Sequence, residues 1–148
     1  MKQHNHFFLF LLLFLSTLNT VCSQEEKSAS NKSLEQSSPP SQGEVLVTNS
    51  LELDFSKHKV TFIELGADRC IPCKAMQPIM KEIAKEYKGK IQVVFYDVWK
   101  DPRPGRHYRI QLIPTQVFID QNGKEIFRHV GFYPKHEILE MLKEKGIL

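Results

Sequence analysis

The sequence predicts one α/β domain in which apolar strands are covered by helices. Three observations carry that prediction. Val60–Leu65 (V-T-F-I-E-L) is an almost continuous, β-branched apolar run of the kind buried on both faces of a sheet. Directly after it, Cys73, Met76, Met80, Ile83, Ala84 and Tyr87 fall on one stripe at helical spacing. Farther on, Asn122-Gly123 between two apolar runs is a strong hairpin signal. At 148 residues, 41% hydrophobic and 25% charged, the chain has room for one compact domain and not for two.

Each element follows from local chemistry. Val45–Val47 is a short strand and Val60–Leu65 the next. The periodic stripe makes Lys74–Tyr87 a helix, kinked at Pro78, which has no N–H to donate, and stopped at Gly89. Ile91–Asp97 is a third strand, and Arg103–Ile110 a short helix among Pro102, Pro104 and Gly105. Thr115–Asp120 and Glu125–Val130 flank the hairpin turn at Gln121-Asn122-Gly123. Pro134–Lys145 is a terminal helix that buries Ile138, Leu139, Met141 and Leu142 and ends before Gly146. The order is strand, strand, helix, strand, helix, hairpin, helix, without internal repeats.

Residues 1–43 stand apart from this domain. Lys2 followed by nine uninterrupted apolar residues, Phe7–Leu15, reads as an export signal, because a membrane span needs about 20 residues. A cut after Ser23 leaves Gln24 at the new N-terminus and discards Cys22. In a rival reading Cys22 is the acylated N-terminus of a lipoprotein, but such signals usually carry Leu three residues before the cysteine and a small residue just before it, where this chain has Asn19 and Val21. Both readings place the rest of the chain in the periplasm or another extracytoplasmic space. Residues 24–43 hold six serines and Pro39-Pro40, with Ala29 and Leu34 the only aliphatic side chains, too little to order the segment, which reads as a disordered linker ahead of a folded domain at 44–148.

Twenty Lys and Arg against seventeen Asp and Glu give a net charge of +3, without the basic stripe that a nucleic-acid partner draws. Function rests on Cys70-Ile71-Pro72-Cys73. Two cysteines separated by two residues close a small disulfide ring, and the first, at a helix N-terminus, meets the positive end of the helix dipole and unpaired N–H donors that stabilise a thiolate. Cys70 is therefore the expected nucleophile, with Arg69 as a neighbouring cation partly opposed by Asp68. Cys73, on the apolar stripe, is shielded and keeps its proton until Cys70 is locked in a mixed disulfide, which it then attacks. As half of a zinc site the pair would need two more ligands, and of the histidines left after export, His58, His107, His129 and His136, none is paired at short spacing; no metal and no cofactor is expected. As an inert structural disulfide it would close too small a ring to constrain the unfolded chain.

The order of elements, with C-I-P-C between a buried strand and a helix, resembles the thioredoxin family. Phe62–Tyr87 is similar to that family's strand, active-site turn and kinked helix, including Pro78. Ile110-Gln111-Leu112-Ile113-Pro114-Thr115 looks like its cis-proline segment, and Gly131 sits where it has a glycine after the last strand. The resemblance implies a thioredoxin-like fold, a central mixed β-sheet flanked by helices, with the first helix shortened because Ser50–Lys59 is too brief for it. A second departure is Arg69, where tryptophan is usual.

Further roles follow from the resemblance. Glu64, on a strand face with Val60 and Phe62, matches the buried acid that relays the proton of the second cysteine, while the position of its usual lysine partner holds Phe95, which raises the acid's pKa further. Pro114 is expected in cis, turning Ile113 so that its backbone pairs with an unfolded substrate strand. Arg69, Ile71, Pro72, Ile113 and Gly131 are the candidate substrate contacts. Trp99, Phe132 and Tyr133 are large enough to line a groove there, but such aromatics more often pack in a core. The expected protein is an exported, monomeric thiol–disulfide oxidoreductase that reduces cysteine-containing proteins and draws electrons from a membrane protein. A disulfide oxidase or isomerase, or a non-catalytic binding module on the same fold, is the alternative.

Overall fold

The computed structural model describes residues 42–148. The expected export signal at 1–23, Cys22 with its two readings, and the linker as far as residue 41 lie outside the described residues.

A strand buried along its whole length needs both of its edges paired and both of its faces covered. β2 (Val60–Gly66) meets that need: all seven of its residues are buried. It lies at the centre of a five-stranded sheet with β1 (Val45–Val47), β3 (Ile91–Asp97), β4 (Thr115–Asp120) and β5 (Glu125–Val130), in the order β1-β3-β2-β4-β5. The β1·β3 and β2·β3 pairs are parallel, and the β2·β4 and β4·β5 pairs antiparallel, so the sheet is mixed.

Alternation along β2 divides the core. Val60 and Phe62 point to one face, where they meet Met76, Met80 and Ile83 of α1 (Ile71–Glu86) and Ile138 and Leu142 of α3 (Lys135–Glu144). Ile63 and Leu65 point to the other, against Val94, Tyr96, Val117, Ile119 and Tyr108, which directly follows α2 (Pro102–His107). Glu64 and Gly66 share the face of Val60 and Phe62, by the two-residue period of a strand.

All three helices depart from the expected limits, α3 by one residue at each end, where Pro134 and Lys145 are its caps. α1 begins at Ile71 rather than Lys74, because Cys70 caps it and Pro72 occupies the first turn, where a missing N–H costs nothing. Ile71 and Pro72 are exposed and so carry no apolar periodicity. α2 begins one residue early, at Pro102, because the Asp101 side chain accepts the Arg103 N–H and caps it. It stops at His107, ahead of Arg109, whose φ of 52° is left-handed. Between β1 and β2 there is only a three-residue 3-10 turn, Phe55–Lys57. The β4–β5 hairpin turns at Gly123, whose φ of 78° suits glycine.

Phe62 stacks on Phe118 across the β2·β4 pair, with ring centroids 4.8 Å apart and planes at 13°. We expect Phe62→Ala to lower unfolding stability by about 3–5 kcal/mol in urea titrations, since no neighbour can collapse into a space bounded by two helices and a paired strand. A loss under about 1 kcal/mol would contradict this assignment of the core.

Candidate active site

The end of β2 and the start of α1 bring the two cysteines together. Cys70, in extended backbone, is the N-cap of α1, and its Sγ accepts the Cys73 N–H at 3.4 Å. One turn separates the residues, their Cα atoms are 5.2 Å apart, and they form a disulfide. Their exposures differ: Cys70 is 9% accessible and Cys73 1%, while Ile71 between them is 82% accessible. Arg69 is exposed and joins no ion pair among the described residues, so solvent screens its charge.

Beneath the disulfide lies Gly66. A Cβ there would stand 3.2 Å from Cys73 Sγ and 3.1 Å from the Phe95 ring, so glycine lets α1 approach the sheet this closely. From the other side Ile113 packs against Ala67, Cys70 and Cys73. The Ile113–Pro114 peptide bond is cis. Gly131, at φ 99°, donates its N–H to the Pro114 carbonyl at 2.8 Å and so joins the end of β5 to the cis-proline segment.

Glu64 is fully buried. In the register it stands between Phe95 on β3 and Gln116 on β4, so the neighbour on the β3 side brings no cation. Gln116 Nε2 donates to Glu64 Oε2 at 2.9 Å and to the Gly131 carbonyl at 3.0 Å, whereas Glu64 Oε1 has no partner among the described residues. Burial pushes the Glu64 carboxyl from its ordinary 4.5 up to about 8, with the Gln116 hydrogen bond pulling the other way.

Asp97, at the end of β3, secures the turn before Cys70. Its carboxylate accepts the backbone N–H groups of Asp68 at 3.4 Å, Trp99 at 3.1 Å and Lys100 at 3.2 Å. The Lys100 ammonium pairs with Asp97 at 3.3 Å and also with Asp68. Burial acts to raise the Asp97 pKa, but these donors, led by Lys100, hold it below the ordinary carboxylate value. Asp68 is thereby engaged by Lys100 and opposes Arg69 less than the sequence alone implied. Beside the cis-proline segment runs a groove of about 480 Å³, lined by Val98, Trp99, Ile110, Leu112 and Ile113 with Arg106 and Arg109. Trp99, 63% accessible, belongs to it, whereas Tyr133 is 4% accessible and packs in the core. Among the described residues no three His, Cys, Asp or Glu side chains gather to hold a metal ion.

A family model described as Thioredoxin matches residues 44–144. The chain belongs to the thioredoxin family. The thioredoxin of Mycoplasmoides gallisepticum is 37% identical over 99 residues, covering 66% of this chain and 97% of that protein. Thioredoxins of Staphylococcus aureus are 32% identical over 83 residues, covering 56% of this chain and 79% of theirs. In fold the chain is similar to a mutant thioredoxin from Halobacterium salinarum, with a TM-score of 0.62, 23% identity, and coverage of 72% of this chain and 95% of that one. This thioredoxin-family chain is thus a thiol–disulfide oxidoreductase, and its family implies cysteine-containing proteins as substrates.

The structure packs Cys70, Cys73 and Ile113 together and links Glu64 through Gln116 to Gly131 and so to Pro114, while Arg69, Ile71 and Pro72 are exposed beside the cysteines. Two residues were not singled out from the sequence: Asp97, a strand-end acid, and Gln116, which reads as an ordinary strand residue until the register sets it opposite Glu64. A polar side chain inside the apolar run Thr115–Asp120 was the available signal.

Because folding raises the Glu64 pKa, the folded state holds this proton more tightly than the unfolded chain. Its stabilising contribution is complete below about pH 4.5 and is lost as pH rises to about 8. Urea unfolding of the oxidised protein should therefore show wild type losing about 3–4 kcal/mol relative to Glu64→Gln between pH 5 and pH 8. Parallel stability curves for the two proteins would show that the carboxyl ionises normally.

Proposed function

We propose that this chain is an exported, monomeric reductase of protein disulfides, supplied with electrons by a membrane protein. The observation that carries the reductase chemistry is the unequal burial of the two cysteines at the N-terminus of α1, with Cys70, 9% accessible, beside Ile113 and Cys73 1% accessible. The extracytoplasmic setting rests on the apolar Phe7–Leu15 segment after Lys2.

In the reduced protein the Cys70 thiolate, stabilised by the first-turn N–H groups, attacks one sulfur of a substrate disulfide. The substrate S–S bond breaks, the other substrate sulfur leaves as a thiolate and takes a proton from water, and a Cys70–substrate disulfide remains. Glu64, as carboxylate, accepts the Cys73 thiol proton; the Cys73 thiolate attacks Cys70 Sγ; and the second substrate sulfur leaves and is protonated. Two electrons have passed to the substrate, and the protein holds the Cys70–Cys73 disulfide. Ile113 offers backbone groups to an extended substrate strand, and Pro114 and Gly131 shape that edge.

The direction of electron flow follows from the residues between the cysteines. Strong oxidants owe their potential to groups that stabilise the reduced thiolate, and Ile71 and Pro72 provide neither charge nor a side-chain donor. Arg69 favours the thiolate but is exposed and screened. Equilibration with glutathione should give a potential nearer about −270 mV than about −120 mV; a value above about −180 mV would make the protein an oxidase or isomerase. In insulin reduction, Cys70→Ser should lose all activity, and Cys73→Ser should accumulate mixed disulfides visible on non-reducing gels. Equal trapping by both variants would reverse the order of attack, and wild type that binds unfolded chains without reducing insulin would favour a binding module.

A further inference from the structure

Among the described residues Gln116 is the one side chain hydrogen-bonded to the buried acid, and it makes that bond with an atom it shares. Nε2 reaches Glu64 Oε2 at 2.9 Å and the Gly131 carbonyl at 3.0 Å, which uses both amide hydrogens, and its own Oε1 has no partner among the described residues. The Gly131 carbonyl fixes which way the amide points: rotating it by half a turn would bring Oε1 against that carbonyl oxygen, two acceptors at contact distance. Gln116 is therefore held as a donor to Glu64. Its backbone position is equally constrained, since it lies in β4, two residues after cis-Pro114, with Glu64 beside it on β2 and His129 beside it on β5.

We propose that Gln116 is a positioning residue for the exchange reaction, a neutral side chain that holds the Glu64 carboxyl in its working orientation and ties it to the Gly131–Pro114 edge where substrate docks. The inference rests on the reading of Glu64 as the proton acceptor for Cys73. Burial alone would lock a carboxyl in its neutral form, and a neutral acid cannot accept the Cys73 proton. A fixed N–H donor favours the ionised form and so keeps the carboxyl titratable. Among the described residues, burial and Gln116 set the Glu64 proton affinity, with no contribution from a charged side chain. Among the described residues, the titratable groups on the same side of the sheet include Cys73 of α1, which lies against Gly66 two residues along β2 from Glu64, His129, paired with Gln116 on β5, and Tyr133, on which the His129 ring stacks at 4.1 Å. The Tyr133 hydroxyl is directed away, to the Glu137 carbonyl at 3.3 Å.

The two chemical steps separate with 5,5′-dithiobis(2-nitrobenzoate), whose thiolate absorbs visible light. With the reduced full chain carrying Cys22→Ser, the first equivalent of thiolate reports attack by Cys70, and the second reports attack by Cys73 on the mixed disulfide. Gln116→Met keeps the volume and removes the donor. We expect it to leave the first phase within about twofold of the Gln116 protein, to slow the second about tenfold at pH 7, and to move the second phase's pH midpoint up by about one unit. Added to Glu64→Gln, it should change neither phase, because its effect passes through the carboxylate. If Gln116→Met does not fold, Gln116→Asn, whose amide is one methylene short of Glu64, is read by the same criteria. An unmoved pH midpoint, or equal slowing in the Glu64→Gln background, would overturn the proposal and leave the Glu64 reading intact. Identical second phases in the Glu64 protein and Glu64→Gln would overturn both.

Discussion

β2 is buried along its whole length, from Val60 to Gly66, and that burial dictates how the sheet pairs around it. A strand hidden on both faces has to be paired on both edges, so β3 and β4 are held against it in one register. That register places Phe95 and Gln116 on either side of Glu64, and it places Gly66, the last residue of the strand, beneath Cys73. A slip of one residue would turn Glu64 to the opposite face, toward Tyr96 and Tyr108 rather than the cysteines. The chemistry of the site is therefore a consequence of sheet pairing as much as of the C-I-P-C sequence.

The two thiols gain opposite characters from a separation of one helical turn. Cys70 is placed where the helix has N–H groups to spare, and Cys73, three residues along, is turned inward against Gly66 and Phe95. The helix N-terminus thus favours charge on the outer sulfur, while burial favours the proton on the inner one. The ionic cluster of Asp68, Asp97 and Lys100 has a different effect: by accepting the Asp68 N–H, Asp97 ties the turn before Cys70 to the end of β3.

Most of the architecture was legible because it is written in periodicity. The doubly buried run at Val60–Leu65, the stripe from Cys73 to Tyr87 and the Asn122-Gly123 turn each has a local physical cause, and each element stands where that cause puts it. Periodicity is silent about exposed first turns, which is why α1 begins at Ile71 and not at Lys74. It is also silent about register. Glu64 could be singled out because a carboxylate within an apolar run is costly, but nothing local to Gln116 states that it will lie opposite that carboxylate, 52 residues away in the chain. Partnerships of this kind belong to the sheet as a whole.

A buried acid near a dithiol needs something to keep it ionisable, and the physics offers two solutions. A nearby cation lowers the acid's proton affinity strongly, but it must itself be desolvated, and it attracts any thiolate within reach. An amide lowers it less and carries no net charge, so it leaves the electrostatics of the cysteines undisturbed. With Phe95 on one side of Glu64 and Gln116 on the other, this chain takes the second course. The amide's second hydrogen, committed to the Gly131 carbonyl, then has a structural consequence that a freely moving ammonium would not. It joins the acid's orientation to the backbone edge beside cis-Pro114, so the proposed proton acceptor for Cys73 and the proposed substrate edge are held by a single nitrogen atom.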